Sequence, residues 1–372
     1  MKKIGIIGVG GFIGNHLNNT IKLLCDEYMI IPFKKSMFEN EIQLDSFVRS
    51  CDVIIHLAGL NRDPEPYVIY QTNINLTQKI IDSLHRTNTK PHVLISSSTQ
   101  ENSDNLYGLS KKKCRELLSE WSKYTGANFT GLIIPNVFGP FCKPNYNSVI
   151  ATFSHQLCND IEPKVDNDSL IKLIYINELI EIILKLIKTG DNTHFYVIDN
   201  CIEYRVSNLL TLLNNYKKTY LLNGEIPSLN NNFELNMFNT FRSYINYNQF
   251  FPKKYIVNPD DRGLFVEITR SGISGQSSFS TTNPNVTRGN HYHTRKIERF
   301  AVIKGKAKIQ MRRIGTDEII TYYLDGEVPS YVDIPVWYIH NITNVGDNLL
   351  YTCFWINEPY DSNNSDTYFE IV

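Results

Sequence analysis

The chain has 372 residues, of which 42% are hydrophobic and 20% are charged. This composition excludes a disordered or collagen-like chain, and the length suggests two domains. The 37 Lys and Arg residues against 38 Asp and Glu residues give a formal net charge of -1, so no chain-wide positive field favours a nucleic acid or an anionic membrane as a partner.

The cysteines and the apolar stretches indicate the cellular compartment. The seven cysteines are scattered and form no C-x-x-C pair, which is typical of thiols in a reducing compartment, so the cytoplasm is the expected location. Glycines interrupt the apolar stretch after Met1-Lys2-Lys3, which therefore predicts a strand and not a signal peptide. The helix-like stretch 179–187 carries Glu181 and Lys185 and is too short to span a bilayer, so no membrane segment is expected.

In the first part of the chain, short apolar runs of strand length alternate with helical patterns. The runs predict strands at Ile4–Ile7, Met29–Phe33, Val53–Leu57 and Val93–Ile95, and the helical patterns predict helices at Ile13–Leu24, Asn73–Leu84 and Leu109–Tyr124. This alternation is typical of βαβ units. We therefore expect an α/β Rossmann-type fold with a doubly wound parallel sheet.

The pattern weakens in an Asn-rich stretch near residues 223–250, and the domain boundary is placed there, giving domains 1–245 and 246–372. Beyond the boundary, alternating runs predict strands at Phe265–Thr269, Phe300–Ile303, Ala307–Met311, Ile319–Leu324 and Leu350–Ile356. No long helical pattern accompanies them. The second domain is therefore expected to be a small all-β barrel or sandwich.

A glycine-rich stretch follows the first predicted strand and opens the first predicted helix. It reads Gly8-Val9-Gly10-Gly11-Phe12-Ile13-Gly14. Glycines there permit a tight turn and a close approach of the backbone to a pyrophosphate, and the helix N-terminus offers free N–H groups. The spacing fits both G-x-x-G-x-x-G and G-x-G-x-x-G. We interpret it as a dinucleotide site, the alternative being a glycine-rich turn without a ligand.

The residues after the second predicted strand indicate which dinucleotide binds. A NAD site needs a carboxylate there for the ribose 2′-hydroxyl, but the first acid is Glu39, and Lys34 and Lys35 precede it. Two lysines suit a 2′-phosphate better. NADPH is therefore the expected cofactor, unless both lysines belong to an ordinary solvated turn.

Tyr107 and Lys111 lie four residues apart on a predicted helix and share one face, and Ser96-Ser97-Ser98 ends a strand upstream. An ammonium group on that face stabilises a phenolate and lowers the tyrosine pKa, while a serine hydroxyl holds a substrate oxygen. This set predicts proton transfer for a carbonyl/alcohol pair. The alternative is a surface tyrosine and lysine.

Together these motifs resemble the extended short-chain dehydrogenase/reductase (SDR) family. Further matching stretches are His56-Leu57-Ala58-Gly59, Asn73-Ile74-Asn75-Leu76-Thr77 and Pro135-Asn136-Val137-Phe138-Gly139-Pro140. By this resemblance Tyr107 is the general acid and Lys111 orients the cofactor ribose. Ser98 binds the substrate oxygen, with Ser97 as the alternative. The resemblance also implies cofactor contacts from Gly8, Gly11, Phe12, Ile13, Gly14, Leu57, Ala58, Gly59, Asn73 and Ser96.

Extended SDR enzymes usually act on nucleotide-linked sugars, which are held by the segment after the Rossmann half. In this chain the segment contains Asn136, Lys143 and Asn147, whose side chains are candidate ligands of the sugar diphosphate. Each of these three residues is equally well interpreted as a polar residue of a turn. Two positions depart from the family pattern, since Ile7 stands where Thr is frequent and Ile133 where Arg is common.

A second cluster lies in the β half of the chain. His291 and His293 are two apart on a strand and face the same way, Glu298 follows after a turn, and His340 lies far along the chain. Three imidazoles and a carboxylate are typical ligands of a divalent metal. Zinc is the expected ion, with iron, nickel and manganese as alternatives. A polar pocket without a metal is the competing interpretation.

These two stretches resemble the two cupin motifs, which implies a C-terminal cupin barrel. The first motif keeps both histidines, the glutamate and the following glycine, and the second keeps its proline, histidine and asparagine. Asn285 and Trp337 stand where cupins usually have glycines. Tyr292 and Tyr338 are nearby candidates for a catalytic base.

An extended SDR domain followed by a cupin is similar, over nearly the whole chain, to the CapF-type bifunctional enzymes of capsular polysaccharide and O-antigen synthesis. Matching stretches are residues 143–153, 260–263 and 366–370. The resemblance implies a cytoplasmic homodimer on the route to UDP-N-acetyl-L-fucosamine. The cupin would epimerise carbon 3 of a UDP-4-keto-6-deoxy-N-acetylhexosamine. The SDR domain would then reduce carbon 4 with NADPH to UDP-2-acetamido-2,6-dideoxy-L-talose.

Two alternatives remain open. In the first alternative, the cupin is only a dimerisation or ligand-sensing module, and the first domain is the sole enzyme. In the other, the first domain is a UDP-sugar epimerase or dehydratase with tightly held NAD.

Overall fold

The structure, a computed structural model, describes residues 1–255, 258–260, 263–265, 275–358, 361 and 363–372. Residues 266–269 of one predicted strand and residues 261–262 of one matching stretch lie outside this part. The chain folds as two units, Met1–Thr152 with Val165–Asn208 and Phe153–Lys164 with Leu209–Val372. Residues 153–164 and 209–245, which precede the predicted boundary, thus pack in the second unit. The domain boundary at 245 stays a prediction.

Strands and helices alternate through the first half of the chain, as the apolar pattern predicts. The elements are β1 (Lys2–Ile7), α1 (Phe12–Leu23), β2 (Tyr28–Ile31), α2 (Glu41–Ser50), β3 (Val53–His56), α3 (Pro66–Thr87), β4 (His92–Ser98), α4 (Leu106–Thr125), β5 (Phe129–Ile134), β6 (Asn136–Phe138), α5 (Val149–Cys158), β7 (Leu170–Tyr175), α6 (Ile176–Thr189), β8 (Tyr196–Val197) and β9 (Ile202–Arg205). Two 3₁₀ helices lie at Lys35–Glu39 and Thr99–Asn102.

Six strands of the first unit form one sheet in the order β2-β1-β3-β4-β5-β8, with every neighbouring pair parallel. Every residue of β3, β4 and β5 is buried, which explains why these strands read as continuous apolar runs. The strand order reverses between β1 and β3, so ligands are expected at the carboxyl ends of these strands. The predicted α/β Rossmann-type doubly wound sheet is confirmed. β6, β7 and β9 form a separate three-stranded sheet.

The second half of the chain begins with helices and continues with strands. The elements are α7 (Val206–Tyr216), a π-helical segment Lys217–Leu222, α8 (Asn232–Arg242), α9 (Tyr247–Phe250), β10 (Lys253–Lys254), β11 (Asn258–Asp260), β12 (Gly263–Phe265), β13 (Gln276–Thr282), β14 (Thr287–Tyr292), β15 (Glu298–Lys304), β16 (Lys306–Arg313), β17 (Ile319–Asp325), β18 (Ser330–Ile334), β19 (Tyr338–Asn344), β20 (Leu350–Ile356) and β21 (Tyr368–Phe369).

Two five-stranded sheets dominate this unit, in the orders β10-β18-β15-β20-β13 and β17-β16-β19-β14-β21. Every paired strand runs antiparallel to its neighbour, as the period-two pattern predicts. β11 and β12 pair with each other. The prediction of an all-β cupin fold for this part of the chain is confirmed.

The Asn-rich stretch contains helix α8, which the sequence pattern does not reveal. Asn231 caps the helix, since its side chain accepts a hydrogen bond of 2.9 Å from the Glu234 N–H. Met237, Phe238 and Phe241 are buried along α8. Asparagine is a poor helix former, so the packing of this apolar face stabilises the helix.

The seven cysteines all carry free thiols. Within the part of the chain that the structure describes, no helix combines the length and the apolar character needed to cross a membrane.

Candidate active site and metal centre

The glycine turn after β1 is sterically constrained at two positions. Gly8 has φ +101°, and a Cβ atom on it would lie 2.7 Å from the Ala58 nitrogen. A Cβ atom on Gly14 would lie 2.2 Å from the Gly8 carbonyl oxygen, so glycine lets α1 pack against the turn. Gly10 has no atom within 4 Å of such a position, whereas Gly11 has the Gly8 oxygen at 3.3 Å. The contacts therefore favour the G-x-x-G-x-x-G reading.

The surroundings of this turn suit a dinucleotide pyrophosphate. Gly11 caps α1 without a side-chain hydrogen bond, and the first turn, with Phe12 and Ile13, carries no acidic residue. Its N–H groups and the positive end of the helix dipole therefore suit an anion. The N–H groups of Leu57 and Ala58 both donate to the Ile7 carbonyl, at 2.8 and 2.9 Å, which brings the end of β3 beside the turn.

Four further predicted cofactor residues lie together. The Lys111 Nζ donates to the carbonyl oxygen of Ser96 at 2.9 Å. A Cβ atom on Gly59 would lie 3.2 Å from the Asn73 Oδ1 and 3.4 Å from the Lys111 Nζ. Burial lowers the pKa of Lys111 from its usual value. The structure therefore brings Gly59, Asn73, Ser96 and Lys111 to the carboxyl ends of β3 and β4.

Tyr107 lies in the first turn of α4, next to this group. Asn105 caps the helix by accepting a hydrogen bond from the Gly108 N–H at 2.7 Å, and the Lys111 Nζ lies 6.0 Å from the Tyr107 ring centroid. Burial raises the pKa of Tyr107 to about 12, with neighbouring Tyr146 as the second cause. The expected lowering of this pKa by Lys111 is thus not found, because desolvation dominates. The phenol keeps its proton at neutral pH, as a general acid must.

The three serines at the end of β4 point to alternate faces of the sheet, as successive residues of a strand do. The Ser97 hydroxyl donates to Glu101, which forms a two-point ion pair with Arg115 at 2.7 and 2.8 Å. Ser96 and Ser98 lie on the opposite face of β4 from Ser97. Lys111 lies on the Ser96 side, so the geometry favours Ser98 over Ser97 as the ligand of a substrate oxygen.

Two of the predicted diphosphate ligands belong to a cluster around Tyr146. The Lys143 Nζ lies 5.2 Å from the Tyr146 ring centroid and the Arg62 guanidinium 5.8 Å from it. Arg62 also donates to the Asn147 Oδ1 at 3.0 Å. Because Tyr146 influences the pKa of Tyr107, this cluster neighbours the proposed acid. Arg62 is not among the site residues predicted from the sequence. In the sequence it is a single positively charged residue shortly after β3, with no motif around it.

The remaining predicted residues lie elsewhere in the first unit. Asn136 lies in β6, where its amide donates to the Lys172 carbonyl oxygen at 3.0 Å. Lys34 and Lys35 are exposed directly after β2. The Glu39 carboxylate, the first acid after that strand, pairs with Lys79 at 3.1 Å.

Four side chains of the second unit form a cluster that suits a metal ion. The nitrogen and oxygen donor atoms of His291, His293, Glu298 and His340 all lie within 4.8 Å of one another. β14 and β19 pair so that His291 faces His340 in register, and Glu298 begins β15. The structure thus brings all four predicted ligands together.

The hydrogen bonds of two histidines indicate that this cluster suits a cation. The His293 Nδ1 lies 2.5 Å from the Asp366 carbonyl oxygen, and the His340 Nδ1 lies 3.1 Å from the Tyr338 carbonyl oxygen. A carbonyl only accepts, so each neutral imidazole carries its hydrogen on Nδ1 and has a lone pair on Nε2. The two Nε2 atoms lie 3.1 and 2.9 Å from the same Glu298 oxygen, and these three buried atoms lack hydrogen-bond partners. Acceptors that face one another in this way fit a shared cation.

The protonation states of His291 and Glu298 agree with this interpretation, whereas burial at His293 is outweighed by the Glu298 carboxylate, which raises the pKa of that ring. Burial lowers the pKa of His291 to about 4, with the neighbouring His340 and His293 as further causes. His291 is therefore neutral at neutral pH, the form that binds a metal. Burial opposes ionisation of Glu298, but the adjacent His293 and His340 side chains outweigh it and hold the pKa of Glu298 below its usual value.

The two tyrosines suggested as a cupin base differ in position. Tyr292 ends β14 and alternates with His291 and His293 on either side of it, and its ring stacks on Trp337 and Tyr368 with centroids 5.9 and 5.5 Å away. It therefore lies on the face away from the ligands. Tyr338 shares its face of β19 with His340. Trp337 has φ +63°, a left-handed conformation that explains why glycine is usual at this position.

Comparison with protein families matches both halves of the chain. Residues 4–199 match the NAD dependent epimerase/dehydratase family. Residues 258–368 match the polysaccharide biosynthesis C-terminal domain.

Individual relatives match over different lengths. A UDP-2-acetamido-2,6-beta-L-arabino-hexul-4-ose reductase of Pseudomonas aeruginosa is 33% identical over 98% of both chains. The spore coat polysaccharide biosynthesis protein SpsL of Bacillus subtilis is 26% identical over 31% of this chain and 82% of its own. The crystal structure of the capsular polysaccharide assembling protein CapF of Staphylococcus aureus matches with a TM-score of 0.65 and 34% identity, over the full length of both chains.

Proposed function

This chain belongs to the CapF-type family of bifunctional sugar-nucleotide epimerase/reductase enzymes, and we propose that it converts a UDP-4-keto-6-deoxy-N-acetylhexosamine in two steps. The second unit epimerises carbon 3, and the first unit then reduces carbon 4 with NADPH. The product is UDP-2-acetamido-2,6-dideoxy-L-talose, on a route to UDP-N-acetyl-L-fucosamine. The enzyme acts as a cytoplasmic homodimer.

The residues around the glycine turn suit NADPH. The turn and the N-terminus of α1 would hold the pyrophosphate, and Asn73, Ser96 and Lys111, next to Tyr107, would hold the ribose. Lys34 and Lys35 suit the 2′-phosphate, while the Glu39 carboxylate is paired with Lys79 and does not compete for a ribose hydroxyl. When bound, NADPH supplies the hydride for carbon 4.

The side chains of the first unit handle the oxygen on carbon 4. Ser98 donates a hydrogen bond to the ketone and fixes its position. Tyr107 holds a proton at neutral pH, and it donates this proton to the oxygen as the ketone becomes an alcohol. Arg62, Lys143 and Asn147, around Tyr146, bind the sugar diphosphate.

Epimerisation precedes reduction for a chemical reason. The proton on carbon 3 is acidic only while carbon 4 is a ketone, because the resulting anion is an enolate. His291, His293, Glu298 and His340 would hold a divalent metal, for which zinc is our proposed ion, and such an ion would supply positive charge near the enolate oxygen. Tyr338, on the ligand face of β19, is the candidate proton carrier.

One observation supports this function most directly. In the first unit, the phenol of Tyr107, the ammonium group of Lys111 and the hydroxyl of Ser98 lie at the carboxyl edge of a parallel sheet, beside a dinucleotide turn. The relative from Pseudomonas aeruginosa, which is 33% identical over 98% of this chain, is a reductase of a UDP-linked keto sugar.

The test is oxidation of NADPH in heavy water with the UDP-4-keto sugar as substrate. The wild-type chain should oxidise NADPH faster than NADH and place deuterium on carbon 3 of the product. Tyr107→Phe should slow oxidation about 100-fold or more, the usual contribution of a general acid. Tyr124→Phe is the matched control, since Tyr124 lies near the end of the same helix and is 85% exposed.

Each outcome separates the two activities. Oxidation without deuterium at carbon 3 would contradict the epimerase and leave the cupin a dimerisation or ligand-sensing module. No oxidation, together with copurified NAD, would contradict the reductase and favour the bound-NAD epimerase or dehydratase.

A further inference from the structure

Asp366 lies near the end of the chain and is buried against the turn that joins two metal ligands. Its carboxylate accepts hydrogen bonds from the Thr294 N–H and hydroxyl, at 3.1 and 2.7 Å. The other carboxylate oxygen accepts from the N–H groups of Arg295 and Lys296, at 3.0 and 3.1 Å. One side chain thus binds three successive backbone N–H groups between His293 and Glu298.

The backbone of the same residue contacts a ligand directly. The Asp366 carbonyl oxygen accepts from the His293 Nδ1 at 2.5 Å, which holds the hydrogen of the neutral ring on Nδ1. The lone pair on Nε2 is thereby directed to the position where Glu298 and His340 converge. The φ of +43° at Asp366 is uncommon for a residue with a side chain, and its contacts on both sides account for it.

The chain on either side of Asp366 is held to the same region. β21 pairs with β14, with Phe369 opposite His291 and Tyr368 opposite Tyr292. The Lys296 Nζ donates to the Ser365 carbonyl oxygen. The C-terminal segment is therefore an integral part of the sheet that carries the histidines.

We propose that Asp366 is the positioning residue of the metal centre: it fixes the tautomer of His293 and the conformation of the 294–296 turn. This proposal rests on the proposed metal site. Groups that orient a ligand from behind typically change metal affinity 10- to 100-fold when they are altered. Here one residue orients the His293 ring and also the turn that leads to Glu298.

The test compares Asp366→Asn with Glu370→Gln in the full-length chain. The asparagine amide would turn N–H donors towards backbone N–H groups, which disturbs the turn without changing the size of the side chain. Glu370 belongs to the same segment but pairs with Arg312 at 3.1 Å, away from the ligand turn, and makes a matched control. Thr294→Val is a milder variant that removes only the hydroxyl contact.

Two measurements are made on each variant. Titration with Co²⁺ in competition with a chelator gives the metal affinity and the visible spectrum of the bound ion. Nitrogen-15 NMR of histidine-labelled, metal-free protein gives the tautomer of His293, with a His293→Gln chain to assign its signal. Circular dichroism and NADPH binding verify that each variant is folded.

We expect Asp366→Asn to weaken Co²⁺ binding about 10- to 100-fold and to shift the ring of His293 away from the Nδ1-protonated tautomer. Thr294→Val should weaken binding less, and Glu370→Gln should match the wild type. Unchanged affinity and tautomer in folded Asp366→Asn would overturn the proposal, as would a fall in thermal stability alone. If the wild type binds no Co²⁺ but its Nδ1-protonated tautomer depends on Asp366, the positioning role stands and the metal site is wrong.

Discussion

Arg62 links the proposed sugar-binding segment to the proposed acid, and its charge is the property to test. It donates to Asn147 at 3.0 Å and lies 5.8 Å from the Tyr146 ring centroid. Loss of a charge-assisted contact to a diphosphate costs roughly 1.5–3 kcal/mol, and this binding is the same in the ground and transition states. Arg62→Ala should therefore raise KM for the UDP-sugar about tenfold or more while kcat changes little.

The control for this variant is Lys123→Ala. Lys123 is exposed in the last turn of α4, about 24 Å along the helix from Tyr107 at the usual rise per residue. The substitution therefore removes one positive charge at a distance from the site. Steady-state kinetics with varied UDP-sugar decide the matter. A fall in kcat with an unchanged KM would instead place Arg62 in the chemical step, and no change in either would remove it from the site.

The sequence predicts the role of an individual residue when that residue belongs to a local pattern. Tyr107 and Lys111 have the spacing of one helix face, and His291 and His293 have the spacing of one strand face. The spacing alone therefore indicates a common site for each pair. Arg62 and Asp366 gain their roles from contacts with residues 85 and 73 positions away. No local period connects such pairs, and only the fold brings them together.

At the scale of elements, the central strands of the first unit are predictable from the sequence, because they are buried on both faces and form continuous apolar runs. Observed β1 and β4 begin slightly earlier than their apolar runs, and the helices are longer than predicted at their N-terminal ends. Three polar residues of β4, among them Ser97, extend the strand beyond the predicted Val93–Ile95. The apolar run alone does not include these polar residues, but the serine run is itself predicted to end this strand, and the structure agrees.

A buried ion pair joins two strands of the second unit to its helical part. Arg299 on β15 and Asp333 on β18 are cross-strand partners, with contacts of 2.7 and 3.0 Å, and the Tyr220 hydroxyl also donates to Asp333. Removal of one partner leaves a buried charge uncompensated, which costs about 3–5 kcal/mol. Asp333→Asn should therefore lower the free energy of unfolding of this unit by about 3 kcal/mol.

The pH dependence of this loss has a definite sign. Burial opposes ionisation of Asp333, but the charge and hydrogen bonds of Arg299 outweigh it and lower the pKa of Asp333 in the folded state. The ionised carboxylate therefore stabilises the fold fully above its unfolded-state pKa of about 3.9. The difference between wild type and variant should be full at pH 7 and shrink below about pH 4.

Urea denaturation followed by tryptophan fluorescence measures this difference, since Trp337 and Trp355 are buried in the second unit. Asp347→Asn is the matched control, because Asp347 is exposed. A gap between Asp333→Asn and wild type that stays constant from pH 7 to pH 3 would show that packing, and not charge, accounts for the loss.

At the scale of the whole molecule, the two proposed chemistries occupy separate units. Tyr107, Lys111 and Ser98 all belong to the segment Met1–Thr152, while the four proposed metal ligands belong to Leu209–Val372. Each unit thus contains every described residue proposed for its own reaction. In the proposed function, the keto sugar that passes between the reactions is a whole nucleotide sugar, bound by non-covalent contacts.

This division predicts that two inactive chains complement each other. Tyr107→Phe should lack reduction and His340→Gln should lack epimerisation, so neither alone should yield a product that is both reduced at carbon 4 and deuterated at carbon 3 in heavy water. A mixture of the two should yield that product, because the intermediate released by one chain is a substrate for the other. Mass spectrometry of the sugar nucleotide measures both changes in one molecule.

A mixture of Tyr107→Phe with Lys111→Met is the control, and it should form no reduced product because both substitutions affect the same unit. If the Tyr107→Phe and His340→Gln mixture is equally inactive, the intermediate does not leave the chain that makes it. The two reactions would then require both intact sites in one polypeptide, and the physical link between the units, not only their separate chemistry, would determine the rate of the overall conversion.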